Sequence, residues 1–324
     1  YILPVRDLSE PANIYAEPVD TKVEFAEPFF GHPDWSMKSR LHNPSFRWPS
    51  TVRLGPEANR LSQAAREDKG PTGMSSPKRY LWDTRQRDML WYLNNKYERH
   101  GTIEEMAAAR GAFLMQVNVA GVPLAALPDE GQPGEEHHLY RDLPQEIKDG
   151  LDGDGADKFW AVESRYSRSS MMMFLLSEII AQAVSGINNP MIREGRGHSD
   201  TPRRLSRIIL TVPTAMPLTE QRMFKTGARL AVRTVWSAMG WDDYYQDSSN
   251  RAVKDFRSSP MVRCDWDEAT CTQVVWLYNE ICERFHKNAR ELFDLMGRPR
   301  PKPGSEEGGA GAPSLRIAST DFCP

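Results

Sequence analysis

Arg207-Ile-Ile-Leu-Thr-Val212 restricts this chain more than any other stretch. It is a short run of leucine and β-branched residues, and Pro213 closes it by removing the next N–H donor. A run of that kind reads as a buried strand, the sort that needs cover on both faces. The flanking sequence supplies candidate cover. Ser169 to Ile187 has helical spacing, and its most apolar part, Met171 to Ile187, carries Glu178, Gln182 and Ser185 on one face. That pattern predicts a broad-striped buried helix rather than a membrane span, which needs about 20 mostly apolar residues. Downstream, Thr219 is placed to cap a helix running to Met239, with Met223, Phe224, Ala228, Ala231, Val235 and Met239 at steps of three and four. Gly240 then offers a left-handed stop.

Asp267 to Met296 repeats the helical pattern through Val274, Tyr278, Ile281, Phe285, Leu292 and Met296, ending at Gly297 and Pro299. Leu315 to Thr320 reads as a final strand. The order helix, strand, helix, helix, strand predicts an α/β sheet with packed helices. It places Ile209, Val212 and Leu315 in the buried layers of one sheet. In such sheets ligands collect at the carboxyl ends of strands, here the turn after Val212 and the residues after Thr320.

The first half has weaker periodicity. Residues 1–44 are rich in proline and aromatics and read as an irregular segment, with one short strand at Lys22 to Ala26. Phe46 to Leu54 predicts a strand broken by Pro49. Gly55 to Arg66 predicts a helix with Ala58, Leu61, Ala64 and Ala65 on one side, and Glu67 to Pro77 a loop. Leu81 to Tyr97 predicts a helix through Met89, Leu90, Leu93 and Tyr97, and Thr102 with Glu105 a capping box. Alternating Phe113, Met115, Val117 and Val119 predict a strand, Gly121 to Gly155 a loop, and Lys158 to Val162 another strand. These elements group into an irregular N-terminal segment (1–44), an α+β insertion subdomain (45–157) and an α/β lobe (158–324).

Composition narrows the function classes. With 324 residues the chain suits about two domains. Lysine and arginine number 41 against 44 aspartates and glutamates, a net charge of -3, which argues against a general nucleic-acid or anionic-membrane binder. The four cysteines show no paired spacing, which argues against a zinc or disulfide framework and favours a reducing cytoplasm. No charged-then-apolar signal opens the chain. It starts at Tyr1 and stops at Pro324 directly after a strand-like run, which predicts an internal piece of a larger protein.

Candidate chemistry is sparse, and each signal has a plain structural reading. Thr211-Val-Pro-Thr-Ala-Met-Pro217 is a strand end running into a helix start, where free N–H groups can hold an anion, or simply a tight turn. Lys78 follows a loop with Ser75 and Ser76 and is by itself a solvated charge. Asp267 and Glu268 at a helix start complement the helix dipole. Asp321 ends a buried-type strand, where a carboxylate is costly without a partner or a metal. Asp152-Gly-Asp-Gly-Ala-Asp157 lacks the glycine and glutamate of a calcium loop, and the adjacent His137 and His138 point different ways on any regular element. The arginines at 193, 196, 203, 204 and 207 are interrupted by Glu194 and Asp200, with no interleaved aromatics. No phosphate-loop or dinucleotide fingerprint and no nucleophile–base pair is present.

In combination, several segments resemble the ATPase domain of heat-shock chaperones. These are Pro49 to Ala58, Ser75-Ser-Pro-Lys-Arg-Tyr-Leu-Trp-Asp83, Ile208 to Pro217 with Glu220-Gln-Arg222 and Gly227 to Ala231, Asp267-Glu-Ala-Thr270, and Leu315 to Asp321. The Ser-Ser-Pro-Lys-Arg-Tyr-Leu-Trp-Asp segment, Arg165-Tyr-Ser-Arg-Ser-Ser170 and the Thr-Val-Pro-Thr-Ala-Met-Pro stretch resemble more closely the SrfB-type virulence-factor family of bacterial proteins. The resemblance implies a partial ribonuclease-H-like lobe of the actin and chaperone ATPase fold, and a nucleotide partner with ATP and magnesium as cofactors of the intact protein. It aligns Lys78 with a lysine that approaches the terminal phosphate, Glu268 with a glutamate that orients hydrated magnesium, and Asp321 with the aspartate opening the second phosphate loop. Lys78 and Glu268 would then be catalytic, Asp321 cofactor-binding, and Glu268 and Asp321 magnesium ligands through water. The three would converge on one cleft. Phe322-Cys-Pro324 departs from that loop's glycines, and no first phosphate hairpin is visible in 1–48. The alternative is a non-catalytic scaffold or virulence-associated interaction protein that keeps the fold.

Overall fold

The computed structural model describes residues 4–10, 13–16, 19–26, 50–63, 70–94, 114, 116–124, 145, 163–189, 193–194, 197–239, 241, 259–301 and 310–314. They form a mixed α/β architecture of small sheets and five α-helices among the described residues. Two compact units are present: residues 1–208 with 218–262, and residues 209–217 with 263–324.

The first unit opens with a hairpin of β1 (Val5–Arg6) and β2 (Ile14–Tyr15), paired antiparallel. A three-stranded antiparallel sheet follows, with β3 (Lys22–Phe25) between β4 (Val52–Leu54) and β5 (Gly73–Ser75). Helix α1 (Gly55–Gln63) leaves β4 directly, because Gly55 adopts φ 53, a conformation that favours glycine. A side chain there would also meet Val19 Cβ at 2.8 Å. Pro77–Tyr80 is a short 3-10 helix after β5.

Helix α2 (Arg168–Ile187) is the element the apolar run predicts. Ser167 caps it by accepting from Ser170 N–H, and its residues from Met171 to Ser177 are all buried. It is the one described helix long and apolar enough to cross a membrane, but two thirds of it is buried inside the protein, as expected of a core helix. It packs against α3 (Leu218–Ala238), whose Phe224, Ala228, Ala231 and Val235 are buried as their spacing predicts. Helix α3 begins one residue before Thr219, so that residue lies in the first turn and not at the cap. Phe25, Trp91, Tyr166 and Phe174 form an aromatic core of edge-on and tilted pairs, with centroids 5.1–6.3 Å apart.

Two expectations for this unit fail. Leu81 to Asn94 is not a helix. Trp91 N–H donates to Ser164 O at 2.9 Å and Asn94 N–H to Phe25 O at 2.6 Å, so tertiary partners take the donors a helix would use. Residues 116–123 are not a regular strand either: Val117 makes only an isolated bridge to Pro123, because Asn118 and Gly121 form a turn.

The second unit holds most of β6 (Arg207–Val212) and β7 (Met261–Asp267), which form a two-stranded sheet. At their starts Met261 N–H donates to Ser206 O at 3.0 Å, and just past their ends Thr214 reaches Asp267 at 3.3 Å. The two strands therefore run parallel. Val212 is buried as expected, but Ile209 is 56% exposed. Ile209 shares its exposed face with Arg207, while Val212 turns inward with the opposite face. The helix expected from Asp267 to Met296 is broken into α4 (Glu268–Asn279), a π-helical turn at Glu280–Arg284 and α5 (Ala289–Met296). His286 and Lys287 sit at φ 46 and 69, which a continuous right-handed helix excludes. Gly297 follows α5 as the sequence predicts. After Gly297 the chain forms β8 (Arg298–Pro301) and β9 (Ala310–Ser314), paired antiparallel. The Thr102–Glu105 box, His137, His138, Asp152 to Asp157, Lys158 to Val162, Gly240 and Leu315 to Asp321 lie outside the described residues.

Candidate functional site

Parallel β6 and β7 end side by side, and two helix-forming stretches begin there. After Val212 the chain turns through Pro213, whose carbonyl accepts from Met216 N–H at 2.9 Å. After Asp267 it enters α4 at once. Asp267 is the N-cap: its carboxylate accepts from Thr270 N–H at 2.8 Å and from the Thr270 hydroxyl at 2.6 Å, and Thr214 Oγ1 donates to it at 3.3 Å. The Thr270 hydroxyl, then the Thr270 N–H, hold the Asp267 carboxyl below the usual carboxylate range. Glu268 is the first residue of α4 and is half-buried. The Asp267 carboxylate and the Thr214 hydroxyl thus meet at the carboxyl edge of a parallel strand pair, where ligands of α/β sheets bind, and Glu268 follows next in the chain.

Magnesium is held through one or two carboxylates, waters and substrate phosphates rather than by an all-protein cage. The donor set here is all oxygen and fits that mode. No cluster of three or more His, Cys, Asp or Glu suited to a metal occurs among the described residues.

Lys78 lies in the first unit, in the 3-10 helix entered through Ser76 at φ 51 and Pro77. Its ammonium sits 5.1 Å from the centroid of the Phe224 ring on α3. Glu268 belongs to the second unit and Asp321 lies outside the described residues.

A buried ionic cluster in the first unit escaped the sequence reading. Glu57 on α1 accepts from the N–H groups of Leu8 and Ser9, both at 2.8 Å, and from the Ser9 hydroxyl. Arg53 Nε lies 3.2 Å from the same carboxylate. Arg60 reaches Asp7 at 2.6 Å and Glu10 at 3.0 Å, so α1 holds the β1–β2 hairpin by two charged side chains. Burial pushes the Glu57 carboxyl up to about 7, against the opposing pull of Arg53. Asp7 is also raised by burial, but the Arg60 hydrogen bond and charge leave it below its ordinary value. The available signal was the alternation of charge through Arg53, Glu57 and Arg60, the last two one turn apart on α1 beside the apolar Ala58 and Leu61.

A second buried carboxyl, Glu24 on β3, accepts from Asn94 Nδ2 at 3.0 Å and from the Thr72 hydroxyl. It borders an open cleft lined by Lys22, Ser62 and the stretch Gly70 to Ser75.

No curated protein and no solved structure matches this chain. The family model described as virulence factor SrfB matches residues 1–323, essentially the whole length, in agreement with the resemblance carried by the segments around Lys78, Arg165 and Thr211; the chain belongs to the SrfB family.

Proposed function

We infer that this chain is part of a nucleotide-binding core of the actin and chaperone ATPase type, within a virulence-associated protein. The family description supports the virulence association. The observation that carries the nucleotide reading is Glu268, set on the first turn of α4 directly off the end of β7, beside Asp267 and Thr214. A ribonuclease-H-like lobe would present a magnesium-orienting glutamate at such an edge. Bound magnesium would neutralise phosphate charge during transfer of the terminal phosphoryl group. Glu268 would hold and orient a water, Asp267 would fix the start of α4 that carries Glu268, Lys78 would lend positive charge to a phosphate, and Asp321 would help hold hydrated magnesium.

The test is ATP binding and hydrolysis by the full-length protein in magnesium buffer. Saturable, magnesium-dependent binding is expected, with Glu268→Gln lowering turnover at least tenfold and leaving binding within a few-fold. Absence of saturable binding at millimolar ATP overturns the reading.

A second reading, an interaction protein without nucleotide chemistry, is favoured by α4. Val274, Val275 and Tyr278 are 50%, 59% and 66% exposed on one side of that helix. Exposed apolar side chains grouped in this way mark association surfaces. Turnover unaffected by Glu268→Gln would favour it.

A further inference from the structure

Two arginines in the first unit are each held in a fixed orientation on an aromatic ring. The Arg87 guanidinium stacks over the Trp91 ring, 4.3 Å from its centroid, and the Arg168 guanidinium over the Tyr80 ring at 4.5 Å. Trp91 is itself immobilised. Its ring is buried, its N–H donates to Ser164 O at 2.9 Å, and its indole N–H donates to Tyr166 O at 2.9 Å. Arg87 N–H donates to Arg165 O at 3.0 Å and Ser169 N–H to Asp83 O at 3.0 Å, so the Asp83–Trp91 stretch is strapped to the chain that leads into α2.

Arg87, Arg168 and Asp83 together carry one excess positive charge, while neighbouring Arg165 is paired with Glu163. Arg168 pairs with Asp83, but Arg87 has no hydrogen-bond acceptor for its guanidinium among the described residues. Arg87 is half-buried, and Arg168 is near enough to repel it. Asp83 is the carboxylate that offsets both charges in part. A guanidinium fixed on an aromatic face with unused donors, under the field of a second one, has a direct use: the planar fork of arginine matches an oxyanion with two parallel N–H bonds. Stacking on aromatic faces fixes the planes in advance, so little side-chain freedom is lost on binding.

We propose that Arg87, assisted by Arg168, forms a binding site for an oxyanion group, a phosphate or a carboxylate, between the Asp83–Trp91 strap and the start of α2. The site does not depend on the nucleotide reading, since it uses neither Glu268 nor Lys78. An oxyanion held by the Arg87 fork would offset the positive charge that Arg168 places on it.

Arginine modification by phenylglyoxal, read by peptide mass spectrometry on the wild-type protein, tests it without any variant. Inorganic phosphate and acetate are compared with sodium chloride at equal ionic strength. Arg290, exposed on α5 in the second unit, is the internal control. Phosphate is expected to slow modification of Arg87 at least five-fold while leaving Arg290 unchanged. Protection by phosphate alone assigns the site to phosphate, and protection by acetate as well assigns it to oxyanions in general. Equal rates in all three salts, or parallel changes at Arg87 and Arg290, overturn the proposal. Calorimetric titration with phosphate provides the second arm. Arg87→Gln should weaken binding at least five-fold with only a small fall in melting temperature, and unchanged binding by that variant would overturn the assignment.

Discussion

Arg53, on β4, and Glu57, in the first turn of α1, face each other with Nε and Oε1 3.2 Å apart, and both side chains are almost wholly buried. Breaking such a pair is costlier than never having made it, because the partner stays behind as an uncompensated buried charge. Glu57→Ala would strand Arg53 and also orphan the N–H groups of Leu8 and Ser9. The expected loss is about 3–5 kcal/mol, measured by urea unfolding. Replacing both residues together, Arg53→Met with Glu57→Leu, is expected to cost less than Glu57→Ala alone. A double variant less stable than the single one would show that the ion pair itself stabilises the fold.

Hydrogen exchange gives a local version of the same argument. The β1–β2 hairpin is held to α1 through Arg60, which bonds both Asp7 and Glu10. Arg60→Ala should raise exchange at the N–H groups of Asp7, Ser9 and Glu10 well before it affects Phe25 or Val52 in the neighbouring sheet. Uniform protection across both regions would contradict the latch.

Glu24 makes stability depend on pH in a direction opposite to most carboxylates. Burial raises its pKa above the ordinary 4.5, against the hydrogen bonds from Thr72 and Asn94. The folded state therefore holds the proton more tightly than the unfolded chain. Its contribution is full below about 4.5 and is lost as pH rises through the higher folded value. Glu24→Gln retains an oxygen acceptor for Thr72 and Asn94 and removes the ionisation. The variant should match or exceed the wild type in stability at pH 8 and fall less steeply with rising pH, while Glu57, raised to about 7, keeps its own share of the slope. Parallel denaturation curves at pH 5, 6, 7 and 8 decide it.

Parts of this architecture were legible because they depend on local period alone. Helices α2 and α3 carry apolar stripes over five turns, and β6 is a β-branched run closed by proline. Leu81 to Asn94 misled because Leu90 and Leu93 fit helical spacing, while buried Trp91 and Leu93 fit an extended chain equally well. A short apolar run does not distinguish the two, and bonds to Ser164, Tyr166 and Phe25 decided the outcome. The cap at Asp267 could be read from Asp267 and Thr270, three residues apart, but Thr214 lies 53 residues away and only the parallel pairing brings it near. The same limit hid the tie between Glu57 and Leu8–Ser9, which spans 48 and 49 residues.

Ser167 offers a direct test of how firmly α2 is set. Its hydroxyl accepts from Ser170 N–H at 3.2 Å and contacts the Ser170 hydroxyl at 2.8 Å, all within buried surroundings. Ser167→Ala should cost about 1 kcal/mol, the usual value for an N-cap, with Ser167→Asp recovering part of it. A loss in both variants alike would mean that packing volume at this position matters more than the cap.

Lys78 separates the catalytic reading from a packing role. Its ammonium lies over the Phe224 ring at 5.1 Å, a contact that by itself contributes about 0.5–1 kcal/mol at a part-exposed site. If that contact is its whole purpose, Lys78→Ala in the full-length protein should lower the melting temperature slightly and leave ATP turnover per folded molecule unchanged. Under the nucleotide reading the charge acts mostly on the transferring phosphate, so turnover should fall at least tenfold while ATP affinity changes only a few-fold. Lys78→Arg sharpens the comparison, because arginine also stacks on aromatic rings and keeps the positive charge but places it differently. Preserved stability with lost turnover in Lys78→Arg would tie Lys78 to phosphate chemistry, whereas full turnover in both variants would remove it from the site.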